Sequence, residues 1–272
     1  MEQSTNNNFL EINKEIKSLQ KMYEEDPTQD SFSLLLLGEA GSGKTFFLRT
    51  CRKPIHIDSF DPGGTKGIKS YIKSGSIIAD TRFEKEDPMH PTVFELWRKN
   101  MNKRIKMGYF NHFGTYVLDS ATTWSDAIMN WILKNAGLAG TAPRFTKDYV
   151  PQKTQIRNWI AVLMALPCDF ILTGHLESFK DEISGAVSYR FLTTGKGSVT
   201  IPGLFDELWV CSPKETSKGV TYRILTQSTG KYIARSRLAK GGKLSQYEEP
   251  DMKKILQKAG QPFEDKPILK GV

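Results

Sequence analysis

The sequence predicts an α/β protein with a mostly parallel sheet, and three observations carry that expectation. From Ser33 onward, short apolar runs alternate with helical stretches, the pattern of repeated strand–helix–strand units. Most of these runs are apolar throughout, as strands covered by helices on both faces require. One of them, Leu34–Leu37, leads into Gly38-Glu39-Ala40-Gly41-Ser42-Gly43-Lys44-Thr45, a glycine-rich loop that opens a helix.

Taken in chain order, residues 9–23 set Phe9, Ile12, Ile16, Leu19 and Tyr23 three and four residues apart, a narrow apolar stripe on a helix ended by Asp26-Pro27. Such a stripe packs a helix on its own domain, or else docks it on a neighbouring subunit. Strands are expected at Leu34–Leu37, Ile55–Asp58, Tyr116–Asp119, Phe170–Thr173 and Glu207–Cys211, and helices at Lys44–Cys51, Val93–Met107, Ser125–Asn135 and Gln152–Leu166. Val220–Gln227 and Lys231–Ala234 alternate apolar with polar residues around Ser228-Thr229-Gly230 and read as a hairpin on the sheet edge, followed by a looser tail. The organisation is thus an N-terminal helix in 1–30, a core in 31–227, and a basic hairpin end and tail in 228–272.

Hydrophobic residues make up 39% of the 272-residue chain, and no apolar run approaches the roughly 20 residues that cross a bilayer. The start of the chain has neither the basic nor the apolar part of a secretory signal, and Cys51, Cys168 and Cys211 are far apart. A reduced, cytoplasmic protein with no membrane partner is expected. The formal charge is +8, and from Ser212 to Val272 thirteen basic residues face six acidic ones. A surplus placed there favours polyanionic partners, although it also serves solubility.

The loop Gly38–Thr45 matches G-x-x-x-x-G-K-[ST] between a strand and a helix, the context that makes the motif specific for nucleotide phosphates. Its glycines let backbone N–H groups converge as an anion nest at a helix N-terminus. The candidate cradle is Gly38, Glu39, Ala40, Gly41, Ser42, Gly43, Lys44, Thr45 and Phe46. Lys44 is expected to reach the β- and γ-phosphates, and Thr45 to ligate Mg²⁺. Asp119, ending the run Tyr116-Val117-Leu118-Asp119, is the expected metal carboxylate; its bland alternative is a cap for the following helix, shared with Ser120.

With the P-loop, Val117-Leu118-Asp119-Ser120 and Phe170-Ile-Leu-Thr-Gly-His-Leu-Glu177 in that order, the chain resembles RecA-type ATPases. More narrowly, residues 57–64, Thr173-Gly174-His175, Gly195-Lys196 and Phe205-Asp206-Glu207 resemble the compact phage ATPases of the RecA superfamily implicated in single-strand annealing recombination. The resemblance spans about residues 33–240 and implies a RecA-like P-loop core, ATP with Mg²⁺, and single-stranded DNA as partner. It also implies a homo-oligomer, ring or filament, with single-strand-binding or recombination proteins as possible associates, in the host cytoplasm if phage-encoded. It carries over Lys44, Thr45 and Asp119 directly. The family's acidic water-orienting residue falls here at Phe60 or Asp61; Asp61 is the better chemical choice, yet Asp61-Pro62-Gly63-Gly64 is also good turn sequence. The γ-phosphate sensor falls at Thr173 or His175. By the same resemblance, Glu182–Thr200, which reads as a long flexible segment or lid, contacts DNA through Arg190 and Lys196, unless one of them reaches a neighbour's nucleotide.

Lys231, Arg235 and Arg237 lie around Tyr232, cations for phosphates and a ring for base stacking, though a solvated basic tail fits equally. The helix bearing Arg98, Lys99, Lys103, Arg104 and Lys106 reads as a solvated face. Two other classes use the same loop: a helicase-like or packaging motor on duplex DNA, and a small-molecule kinase with Asp58 or Asp61 on its substrate. The kinase leaves the basic last quarter without a role.

Overall fold

A computed structural model describes residues 2–26, 28–180, 182, 185–193, 197–217, 219–238 and 242–268. In chain order the elements are α1 (Glu2–Glu25), β1 (Ser33–Leu37), α2 (Lys44–Leu48), β2 (Ile55–Ser59), α3 (Lys69–Lys73), β3 (Ile77–Asp80) and α4 (Val93–Lys106). Then come β4 (Thr115–Asp119), α5 (Ala121–Asn135), α6 (Tyr149–Met164), β5 (Asp169–Gly174), β6 (Leu176–Lys180), β7 (Val187–Phe191) and α7 (Gly197–Thr200). The chain continues through β8 (Glu207–Cys211), β9 (Lys214–Thr216), β10 (Gly219–Thr221), β11 (Ile224–Leu225), β12 (Tyr247–Glu248) and α8 (Met252–Ala259).

Eight strands form one sheet in the order β12-β11-β8-β1-β5-β4-β2-β3. From β8 to β3 every pairing is parallel, while β11 and β12 add an antiparallel edge. β1, β2, β4, β5 and β8 are buried along their whole length; the middles of β1, β4, β5 and β8 accordingly run apolar without alternating, whereas β2 carries the buried polar residues His56, Asp58 and Ser59. One face packs on α4, α5 and α6 around Trp97, which meets Trp124 and Trp159 at ring-centroid distances of 5.5 and 4.8 Å. The other packs on α2 and α8, with Phe47, Leu48, Ile255 and Leu256 buried. The α/β fold with a mostly parallel sheet is therefore as expected.

Three local readings are corrected. Val220–Gln227 and Lys231–Ala234 do not pair with each other: Ile224 and Leu225 are buried between β8 and β12, so both their edges are taken. The hairpin lies just upstream as β9–β10, and residues 232 and 235 instead bridge to Tyr189 and Leu208. The segment 182–200 contains β7, paired antiparallel with β6, and α7, rather than loop alone. On α4, Lys99, Lys103 and Lys106 are exposed as a solvated face requires, but Arg104 turns inward to Asp58 and Asp80.

Within the expected tail, α8 is anchored by its N-cap Asp251, whose carboxylate accepts from the Lys254 N–H. Lys253, Lys254 and Lys258 pair with Asp265, Glu249 and Glu248, so part of the terminal basic surplus is neutralised locally. The apolar stripe of α1 faces solvent, with Phe9, Ile12, Ile16, Leu19 and Tyr23 between 48 and 66% exposed. Among the described residues no helix is long and apolar enough to cross a membrane.

Candidate functional site

The C-terminal ends of β1, β2, β4 and β5 converge at one edge of the sheet, where open parallel sheets hold their ligands. β1 delivers the phosphate loop. Its turn needs glycine at two points: Gly41 and Gly43 have φ of 75° and 91°, in the left-handed region that side chains disfavour. Gly38 is required for space, since a Cβ there would meet Ser42 Oγ at 2.3 Å. α2 begins at Lys44, which is buried and donates through Nζ to the carbonyls of Gly38 at 2.8 Å and Glu39 at 2.9 Å. Burial holds the ammonium below its ordinary range, against the attraction of Cys211, Asp119 and Asp61.

β4 ends at Asp119, separated from β1 by β5. Both of its carboxylate oxygens are taken by hydroxyls rather than by N–H groups of α5: Thr45 Oγ1 donates to Oδ2 at 3.1 Å, and Thr173 Oγ1 donates to Oδ1. Burial pushes the Asp119 carboxyl up, opposed by the hydroxyl of Thr173 and reinforced by the nearby Asp61. Thr173 thus serves Asp119 directly. A hydroxyl and a carboxylate side by side are the donor set for a Mg²⁺ completed by phosphate and water oxygens. No group of three or more His, Cys, Asp or Glu side chains placed to hold a metal ion occurs among the described residues.

Just beyond β2, Phe60 and Asp61 part ways. The Phe60 ring is buried, stacked on Phe83 at 5.3 Å, which leaves Asp61 as the polar group facing the site. Asp61 Oδ1 accepts from Ser120 Oγ at 2.7 Å and Thr123 Oγ1 at 2.6 Å, and its Oδ2 lies 3.8 Å from His175 Nε2. Burial raises this carboxyl, but His175, Thr123 and Ser120 together outweigh it and hold Asp61 below the usual range. Asp61 therefore stays a charged acceptor.

Sequence reasoning missed Glu84. It sits on a 3-10 turn after β3, where Oε1 accepts from Ser59 Oγ at 2.8 Å and Oε2 from the Gly63 N–H at 3.0 Å. Ser59 is in register with Asp119 on β4, so Glu84 pins the Asp61–Gly64 turn beside Asp119. Nothing in the spacing of a lone glutamate more than twenty residues away announces this.

Asp58, the kinase alternative's substrate contact, is fully buried and bonded to His56, Trp97, Arg104 and Tyr116. It faces no ligand.

The expected DNA-contact cations have varied surroundings. Arg190 on β7 pairs with Glu177 across the ribbon and lies 4.2 Å over the Phe179 ring. Lys231 is exposed, next to Tyr232, which stacks on Tyr189 at 5.0 Å. Arg235 Nη2 is committed to the carbonyls of Pro202 and Phe205 at 2.8 and 2.6 Å, and exposed Arg237 pairs with Asp206. Lys196 and Gly195 lie outside the described residues.

The sequence matches an AAA domain family, AAA_24, over residues 31–238. Among solved structures, a KaiC-like protein from Pyrococcus horikoshii OT3 is similar at 14% identity and a TM-score of 0.37, over 73% of this chain and 79% of that one. The flagellar accessory protein FlaH from Methanocaldococcus jannaschii is similar at 14% identity and a TM-score of 0.35, over 74% and 79%. No curated protein sequence matches. With the phosphate loop, the Asp119 strand and a family match covering well over half of its length, the chain belongs to the AAA domain family as a P-loop ATPase.

Proposed function

We propose that this protein hydrolyses ATP with Mg²⁺ and couples that reaction to single-stranded DNA. One observation carries the coupling: His175 is the single residue between β5, which ends in the nucleotide site, and β6, which begins the exposed ribbon. Its ring faces Asp61 at 3.8 Å, while the partner strand β7 joins the basic segment through the Tyr189–Tyr232 stack and the bond from the Tyr189 N–H to the Lys231 carbonyl. A change at the γ-phosphate that moves His175 therefore moves the root of a surface carrying Arg190, Lys231 and two tyrosine rings, the combination that holds single strands.

In the reaction, Lys44 exchanges the Gly38 and Glu39 carbonyls for phosphate oxygens. Asp61, kept ionised, orients the attacking water in line with the γ-phosphate, since phosphoryl transfer depends mostly on positioning and charge. Glu84, Ser120 and Thr123 hold that carboxylate in place. Thr45 and Asp119 would hold Mg²⁺, which supplies neutralisation of the phosphate charge. The resemblance to phage annealing ATPases supports a role in recombination or annealing, by a homo-oligomer.

The test is steady-state ATP hydrolysis at fixed salt without nucleic acid, with single-stranded DNA and with duplex, with Lys44→Ala as control. Stimulation by single strands that disappears in Lys44→Ala is the expected result. Stimulation by duplex alone would move the reading to a translocating motor, and turnover indifferent to DNA would refute the coupling.

A further inference from the structure

α1 is exposed at every residue from Asn8 to Glu25, so along that length it buries no face against its own chain. Its apolar side chains nevertheless keep a strict order. Phe9, Ile12, Ile16, Leu19 and Tyr23 follow one another at intervals of three, four, three and four residues. That is a 3.5-residue period, the alternation of a and d positions in a coiled coil, and a narrower seam than the face a helix lays on its own domain. The positions flanking the seam hold Asn13, Glu15, Gln20 and Met22. Lys14, Lys17 and Lys21 fall on the outer side, where Lys21 pairs with Glu25 at 3.6 Å.

We infer that α1 pairs with α1 of a second copy of this chain as a short parallel coiled coil. The surface on offer is sufficient. The five seam residues are 48–66% exposed, so each contributes on the order of 100 Å² and two helices together about 1,000 Å², the lower bound of a specific interface. The sequence also decides the direction. Parallel and in register, each seam residue meets its own copy, and every layer from Phe9 to Tyr23 is apolar. Antiparallel, a positions face d positions, and whichever register is chosen, Phe9 or Tyr23 is left without an apolar partner. The parallel pair sets Glu15 of one helix beside Gln20 of the partner subunit, a carboxylate facing an amide donor, with no like charges opposed. Ile16 at an a position followed by Leu19 at d favours two strands over three.

The fold places this pair away from the nucleotide. α1 leads into the N-terminal end of β1, where Arg52 Nη2 donates to the Asp30 carbonyl at 2.8 Å and the Asp26 carboxylate accepts from the Thr28 N–H at 2.9 Å. The phosphate loop leaves the opposite end of β1. Pairing through α1 therefore needs neither nucleotide nor DNA. It adds to the oligomer proposed above an interface at the opposite edge of the sheet from the ATP site, and it stands whether or not the reading of that site does.

The experiment is sedimentation velocity of the full chain over a wide range of concentration, on wild type, Lys44→Ala, Leu19→Asp and Leu10→Asp. Without nucleotide, wild type and Lys44→Ala should show the same monomer–dimer equilibrium. Leu19→Asp puts a charge from each helix into a buried layer and should raise the dissociation constant about 100-fold. Leu10→Asp removes a side chain as exposed as Leu19, 57% against 55%, but off the seam, and should leave the dimer as it is. Since α1 is exposed on all sides, neither change removes a contact of the core. Phe9→Cys reads the direction: Cys51, Cys168 and Cys211 are buried, so mild oxidation links two chains through residue 9 only when the helices run parallel. A monomer at every concentration overturns the inference, whether or not α1 then binds anionic lipid vesicles. So does a trimer, a dimer that forms only with ATP, a dimer that Leu10→Asp weakens as much as Leu19→Asp, or the absence of the Phe9→Cys link.

Discussion

Asp58 offers a test of how this sheet is held beneath its site. Its side chain has no exposure, and it accepts from His56 Nε2, Trp97 Nε1 and Arg104 Nη1 at 2.9 Å each and from the Tyr116 hydroxyl at 2.8 Å. Asp58→Asn keeps the shape but halves the acceptors, so the amide nitrogen must face two of the four donors, His56 with Arg104 or Trp97 with Tyr116. Breaking one side of a buried pair costs about 3–5 kcal/mol. Arg104 is not orphaned, however, because its Nη2 also reaches Asp80 at 2.5 Å, and that places the expected loss near the lower bound, about 3 kcal/mol. For a domain of this size the corresponding fall in Tm is about 6–9 °C.

The pH dependence gives a second readout. Burial raises the Asp58 carboxyl, but His56, Arg104 and Tyr116 outweigh it, so the folded protein holds it below its ordinary range. A depressed pKa contributes stability that is fully present above the unfolded value of about 4 and disappears as pH falls through the folded value. The neighbouring Asp80 is held at about 2, foremost against burial by Arg82 and Arg104. The gap between wild type and Asp58→Asn should therefore be constant from pH 8 to pH 5 and close below about pH 4. Urea titrations at pH 7 and across this range measure it. A difference under about 0.5 kcal/mol at pH 7, or one that widens on acidification, would refute the account.

Three further outcomes follow from the site. Asp61→Asn, which removes the acceptor charge, should lower kcat about 30-fold with nucleotide affinity near wild type; near-normal hydrolysis would leave Asp61 as a turn residue only. Glu84→Ala, which frees Ser59 Oγ and the Gly63 N–H, should cost about 1–2 kcal/mol in urea unfolding and lower kcat more than KM, with Glu84→Gln restoring part of both. A loss of stability with kcat intact would make that clamp structural. Tyr232→Ala should weaken single-stranded DNA binding about tenfold in a filter or anisotropy assay while leaving DNA-free hydrolysis unchanged, and equal loss of both would sever the ribbon from DNA.

The sequence made the interior of the sheet legible because burial on both faces demands unbroken apolar runs, as in Leu34–Leu37 and Tyr116–Leu118. Strands freed from that demand were not legible. β6, Leu-Glu-Ser-Phe-Lys, and β9, Lys-Glu-Thr, belong to two-stranded ribbons outside the main sheet. With little or no core to face, they show no period above their polar surroundings. α8 did carry signals, Asp251 before it and Gly260 after it, with φ of 73° at the latter. Its lysines drew the eye to charge instead.

The same distinction separates the parts of the site. Lys44, Thr45 and Asp119 are legible because phosphate and metal chemistry fixes residue type and local spacing. Glu84 is not, because its role is to hold Ser59 and Gly63 across the fold, a task that any acceptor of suitable reach could fill from another place in the chain. Arg235 is the converse case: charge and a neighbouring tyrosine suggested nucleic acid, yet its guanidinium satisfies the carbonyls ending the turn before β8. Buried carbonyls need donors as strongly as phosphates do. A cation near a ligand surface is therefore evidence of binding only once the backbone around it has been counted, and by that count the exposed Lys231 retains more capacity for a ligand than Arg235 does.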